Sequence, residues 1–185
     1  VYETLYGIVP GTGPVTIAEN NALSLNRVVV TPQHGVQQIT DAMVTNLELH
    51  PMGVVNSVCR VGPYLVFTTA GGRIWATGQN DITIDALSFG TAESDKDGLV
   101  RGVVVNGMFY AMGASTIEVW QDAGLTPFPL SRLSTVIQVG LASAFAIAGG
   151  QGEWDYPAVF VASDGTVRSL SGMSTERVST PDVER

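Results

Sequence analysis

The chain reads as all-β, folded as a β-propeller or partial propeller built from repeated antiparallel hairpins. Three features of the sequence lead there. Helix signals are nearly missing, short β-branched or aromatic runs are cut repeatedly by Gly, Asn and Asp, and three of those runs share one internal plan. They are YLVFTTAGGRIWATG from Tyr64, MFYAMGASTIEVWQD from Met108 and AVFVASDGTVRSLSG from Ala158. Each places an apolar strand first, then a turn of small residues (Ala70-Gly71-Gly72, Gly113-Ala114-Ser115, Ser163-Asp164-Gly165), then a second alternating strand. The turn residues tolerate the positive φ that a tight hairpin needs. Trp75 and Trp120 lie about 45 positions apart and Phe109 and Phe160 about 51, the spacing at which propeller blades recur. No hairpin of this size buries its own apolar face, so neighbours must stack, and a radial stack leaves only short, protected edges. A β-sandwich is the competing fold, since it too has strands every ~8–12 residues. The shared internal plan, beyond spacing alone, favours the propeller.

Taken in order, residues 1–58 form the less regular blade or blades. VTIAENNALSLNRVVVTPQHGVQQIT, from Val15, holds two or three β-runs with Asn20-Asn21 and Gln33-His34-Gly35 as turns. ITDAMVTNLEL, from Ile39, is the best helix candidate: Thr40 or Asp41 offers an N-cap, while Val, Thr and Asn inside it and Pro51 beyond limit it to one or two turns. Residues 59–101 make a blade around the first hairpin, and Cys59 within VVNSVCRV reads as a buried apolar thiol. Residues 102–155 make the next. Its second strand, STIEVW, alternates with Ile117, Val119 and the Trp120 end facing one way, and runs into TPFPLSRL, where Pro127 and Pro129 hold an extended, φ-restricted loop. Residues 156–185 carry the third hairpin as a partial blade. The chain starts at Val1 and STPDVER stops in mid-pattern, so it reads as a fragment of a longer polypeptide or a processed chain.

Composition narrows the function. At 185 residues the chain is one domain with a real core. Charged residues make up 14% of it, against ~25% in an average soluble domain, which leaves a surface of Ser, Thr, Asn, Gln and Gly suited to durable subunit contacts. The formal net charge of −8 repels phosphates and argues against gripping nucleic acid by charge. With a single cysteine no intrachain disulfide forms. The longest apolar run, VGLASAFAIAGG from Val139, falls short of the ~20 residues of a membrane helix, and no signal peptide is visible.

Catalytic and ligand signatures are weak, and no catalytic, metal or cofactor residue is assigned. His34 and His50 sit on separate turn-like stretches without partners at metal-ligand spacing. GTG at Gly11 lacks the Lys-Ser/Thr of a phosphate loop. SDKDG, with Asp95 and Asp97, lacks the third carboxylate and bidentate Glu of a calcium loop and reads as a solvated inter-blade connection. Glu118, Asp122, Asp155 and Asp164 offer carboxylates for glycoside chemistry, with nothing to bring any two together. Trp75 and Trp120 read as packing between blades, whereas Trp154 and Tyr156, in GGQGEWDYP, are the exposed contact candidates. They support an alternative function: a carbohydrate-binding or glycoside-active propeller with Trp154, Asp155 and Tyr156 around a shallow site.

From Gly78 to Arg132 the sequence resembles a known family. The blocks LSFGTAESDKDGLVR (Leu87 to Arg101), STIEVWQDAG (Ser115 to Gly124) and PFPLSRL (Pro127 to Leu133) are similar to those of the packaged-DNA stabilisation proteins, also called tail hub or tail accessory proteins, of short-tailed bacteriophages and prophages. SDGTVRSLSG and ERVSTPDVER resemble the same family's next blade and the segment after it. The resemblance implies a non-enzymatic virion part, assembled in the bacterial host cytoplasm, that closes or lines the DNA exit channel as a homo-oligomeric ring, a hexamer. It implies portal and adaptor proteins, tail needle and tailspike or fibre proteins as partners, with packaged DNA passing nearby and not bound by sequence. Members are usually longer than this chain. In that setting Phe128 and Leu130 are expected to contact a neighbouring subunit.

Overall fold

The structure, a computed structural model, describes residues 7–22, 27–40, 42–47, 52–92, 97–150 and 157–184. Among them are sixteen strands and no helix. They form four antiparallel four-stranded sheets, each an up-and-down run of consecutive strands. The first sheet holds β1 (Thr16–Glu19), β2 (Arg27–Thr31), β3 (Gly35–Ile39) and β4 (Val44–Asn46). The second holds β5 (Val55–Val61), β6 (Tyr64–Thr69), β7 (Arg73–Ala76) and β8 (Phe89–Thr91). The third holds β9 (Leu99–Val105), β10 (Met108–Gly113), β11 (Ile117–Asp122) and β12 (Leu130–Ile137). The fourth holds β13 (Ile147–Ala148), β14 (Ala158–Val161), β15 (Val167–Ser171) and β16 (Ser174–Arg177). The three look-alike hairpins are thus the middle strands of the last three sheets.

Turn chemistry sets the strand order. Asn106 and Gly107 both have positive φ and close β9 onto β10, the type I′ arrangement whose twist matches the flanking strands. Gly72 and Gly165 take positive φ in the turns after β6 and β14, but the equivalent turn after β10 has none. That turn is held from outside: the Asp97 carboxylate accepts hydrogen bonds from Ser115 N and Ser115 Oγ, the latter at 2.7 Å. The helix expected from Ile39 does not form over its described residues. Ile39 pairs with Val44 and Gln38 with Thr45, and the Thr40 hydroxyl accepts from Met43 N inside a turn rather than capping a helix. β-branched Val44 and Thr45 lose little χ1 freedom in a strand, and an edge of β3 was available to pair with.

The core lies between consecutive sheets, not inside any of them. Along β6, Leu65 and Phe67 point back toward the first sheet and pack with Val28, Val30, Val36 and Trp75, while Val66 points forward and packs with Ile74 and Ala76 against Phe109, Ala111 and Trp120 of the third. Along β10 the alternation repeats: Phe109 and Ala111 face back, Tyr110 and Met112 face forward to meet Ile117, Val119, Phe160 and Leu170. Trp75 sits opposite Phe67 and Trp120 opposite Phe109, so each indole fills the gap to the preceding sheet. The period of two puts Trp120 on the face opposite Ile117 and Val119, which corrects the reading that all three share a side. A sandwich would need two facing layers; here the four sheets pack in succession, first on second, second on third and third on fourth, as propeller blades do.

Connections between blades need glycine where they cross a turn of the preceding blade. A Cβ on Gly98 would stand 2.2 Å from the Ala70 carbonyl oxygen, and one on Gly140 would stand 2.1 Å from the Ala114 carbonyl carbon and oxygen. The same crossing therefore occurs after the second and the third blades. Leu141 N donates to Gly113 O at 2.9 Å and Ser163 N to Gly140 O at 3.0 Å, which pins the second crossing to both neighbouring blades.

Candidate functional site: the axial groove and the proline loop

The first strands of successive blades, β1, β5 and β9, lie side by side and line a groove of about 720 Å³. Each is the end strand of its sheet, so one backbone edge has no sheet partner. Side-chain hydroxyls tie these edges together. Thr16 Oγ1 on β1 accepts from Val58 N on β5 at 3.0 Å, and Ser57 Oγ on β5 accepts from Gly102 N on β9 at 2.8 Å. Asn56 Nδ2 adds a bond to Leu99 O at 2.6 Å. Gly102 admits no side chain because its Cβ would press on the Phe109 ring and Thr68 Cγ2.

Two arginines enter the groove. Arg60 is exposed and donates from Nη1 to Asn21 Oδ1 at 2.7 Å. Arg101 is half-buried: its Nη1 donates to Ala144 O at 2.9 Å, and its guanidinium carbon lies 5.1 Å from the centre of the Phe145 ring. Partial burial lowers its pKa from the ordinary arginine value, a shift that the adjacent Cys59 opposes. The Cys59 thiol also lies along the groove, and desolvation pushes its pKa up to about 12, so it stays protonated and is no nucleophile at neutral pH.

The proline loop closes a second cleft, of about 430 Å³, against Tyr64, Thr77, Gln79, Thr83 and Asp85. Pro127 is exposed, Phe128 half-buried, and Pro129 and Leu130 buried. Phe128 meets Trp120 edge-on at 6.0 Å, and both rings press on Gly90 of β8, where an added Cβ would come within 2.7 Å of Phe128. Leu130 is 3% exposed in the same cluster. The apolar surface of Phe128 and Leu130 is therefore used inside the chain, clamping the third blade to the second. Leu125 and Pro127 make up the exposed side of the loop.

The scattered carboxylates serve separate structural tasks. Glu118 is 2% exposed and accepts from Trp120 Nε1 at 3.1 Å and Arg132 Nη1 at 3.3 Å. Asp122 accepts from Gly124 N, and Asp164 from Thr166 and Arg168. His34 is exposed in the β2–β3 turn. His50, Asp95, Trp154, Asp155 and Tyr156 lie outside the described residues. Among the described residues no three His, Cys, Asp or Glu side chains gather as metal ligands, and no helix is long and apolar enough to cross a membrane. The hydroxyl ties and the groove arginines escaped sequence reading, because the partners are some 45 residues apart and meet only once the blades are stacked.

Consecutive blades clamped edge to edge, with their chemistry on an axial groove and on loops, define a β-propeller scaffold protein. The chain belongs to the phage-stabilisation family described as bacteriophage P22 Gp10, beta-propeller, whose model matches residues 3–185. Its broad role follows: a structural component of the phage virion that stabilises packaged DNA. No curated protein matches the chain.

Proposed function

We propose that this propeller works as a tail hub, one subunit of a homo-oligomeric ring that closes or lines the DNA exit channel below the portal and adaptor and connects to needle, tailspike or fibre proteins. The observation that carries this reading is the family match over residues 3–185. The physical character of the chain supports it. A conduit for pressurised DNA works best when it does not hold phosphates along its surface, and a net charge of −8 keeps a duplex mobile. Few charges and many small polar residues suit permanent contacts between subunits. The work done is mechanical, with no bond made or broken.

The test is reconstitution. The full-length protein is mixed with the portal–adaptor complex and its mass followed by light scattering. A stable increment of several copies per portal ring, larger than any oligomer of the protein alone, supports the hub. A protein that stays monomeric and unbound at micromolar concentrations would refute it.

A further inference from the structure

We propose that the axial groove is a binding site for a small oxyanion such as inorganic phosphate, with Arg101 as the principal ligand and Arg60 as the second charge. Four arginines of the described chain, Arg27, Arg132, Arg168 and Arg177, each pair with a carboxylate. Arg60, Arg73 and Arg101 have none among the described residues, and two of these three face the groove. The one carboxylate lining it, Glu19, is already bound to Arg27 at 2.9 Å. In a protein with a net charge of −8, this groove carries a positive charge on both β5 and β9 that no carboxylate pairs with among the described residues.

Arg101 has the stronger case for a ligand. Its guanidinium is fixed by Ala144 O and the Phe145 ring, so little rotamer entropy remains to be lost on binding. Its Nε is buried and meets no acceptor among the described residues, so contact with a ligand in the groove falls to the rest of the guanidinium. Cys59 beside it is a neutral thiol and supplies no counter-charge. Around it, Gly102, Gly107 and Gly150 line the groove without side chains. A fixed guanidinium, a second arginine on the neighbouring strand and no paired carboxylate among the described residues are components of an oxyanion site.

This site stands apart from the hub reading and is tested apart from it. Inorganic phosphate is titrated into the isotopically labelled chain and followed by amide and arginine side-chain NMR, with chloride at matched ionic strength as the control. Saturable shifts at Arg101 Nε and Gly102 are expected for phosphate. Affinity should fall at least tenfold in Arg101→Gln and severalfold in Arg60→Gln, and stay unchanged in Arg73→Gln. Unsaturable shifts that chloride reproduces would mean screening only and overturn the site, as would equal affinity in Arg101→Gln. Should Arg101→Gln not fold, Arg60→Gln decides: its side chain is exposed, and unchanged phosphate affinity there sinks the proposal.

Discussion

Replacing Gly140 with alanine should be among the most damaging single-methyl additions in this protein. The added Cβ would sit 2.1 Å from the Ala114 carbonyl carbon and oxygen and 2.4 Å from Ser115 N. Comfortable carbon contacts lie near 3.5–4.0 Å, so the backbone on one side must retreat by about 1.4 Å. The neighbouring chain cannot do so alone, because Leu141 N is bonded to Gly113 O and Ser163 N to Gly140 O. Overpacking of this kind costs roughly 1–3 kcal/mol, and weakening two backbone hydrogen bonds adds about 1 kcal/mol each. The sum is about 4 kcal/mol, or a fall in Tm of about 8–16 °C for a chain of this size. Two controls separate collision from conformation. Gly165 has a φ of +81° and open space around its Cβ, so Gly165→Ala should cost only ~1–2 kcal/mol of left-handed strain. Gly13 has neither constraint and should tolerate alanine with no measurable change. Thermal and urea unfolding of the three variants measures the series. If Gly140→Ala melts within a couple of degrees of wild type, the crossing of the third blade's turn is misplaced and the stacking argument with it.

The two indoles should respond differently to phenylalanine: Trp120 Nε1 donates to Glu118, whereas Trp75 Nε1 is buried with no partner among the described residues, so urea unfolding should show Trp120→Phe costing about 1–3 kcal/mol more than Trp75→Phe. Acid sensitivity should trace to Asp164. Hydrogen bonds from Thr166, with help from Arg168, lower its pKa from the usual carboxylate value to about 2, so its contribution is complete above about pH 4 and is lost as pH falls toward 2. Asp164→Asn should flatten stability over that interval in a pH series of melts, and an unchanged slope would contradict the assignment. At pH 8 the Cys59 thiol should react with a disulfide reagent at least a thousandfold more slowly in the native chain than in urea; comparable rates would show that it is not desolvated.

How much of this was legible depended on which strand of a blade one asks about. The middle strands announced themselves, because Phe67 with Trp75 and Phe109 with Trp120 put large apolar residues on both sides of a small-residue turn. The inner strands were harder to delimit. β9 ends at Val105 and Asn106-Gly107 turns it into β10, while β5 turns at Gly62-Pro63 into β6. The outer strands β4 and β8 are three residues long and contain no fully buried residue, so periodicity has little to act on. The helix expected near Ile39 came from reading an N-cap pattern without knowing that β3 would offer an edge. The proline-set stretch was expected to be loop through Leu133, whereas Leu130 already begins β12, and the destination of Phe128, the Gly90 notch of the preceding blade, is a long-range fact that no local pattern encodes.

Cryo-electron microscopy of the intact virion tests the hub reading most directly. The account predicts that density for these four sheets recurs as a ring around the DNA exit axis immediately below the portal and adaptor, with β1, β5 and β9 turned toward each propeller's own centre. Particles that contain no such ring, or that carry the propeller elsewhere than on the exit path, would contradict it.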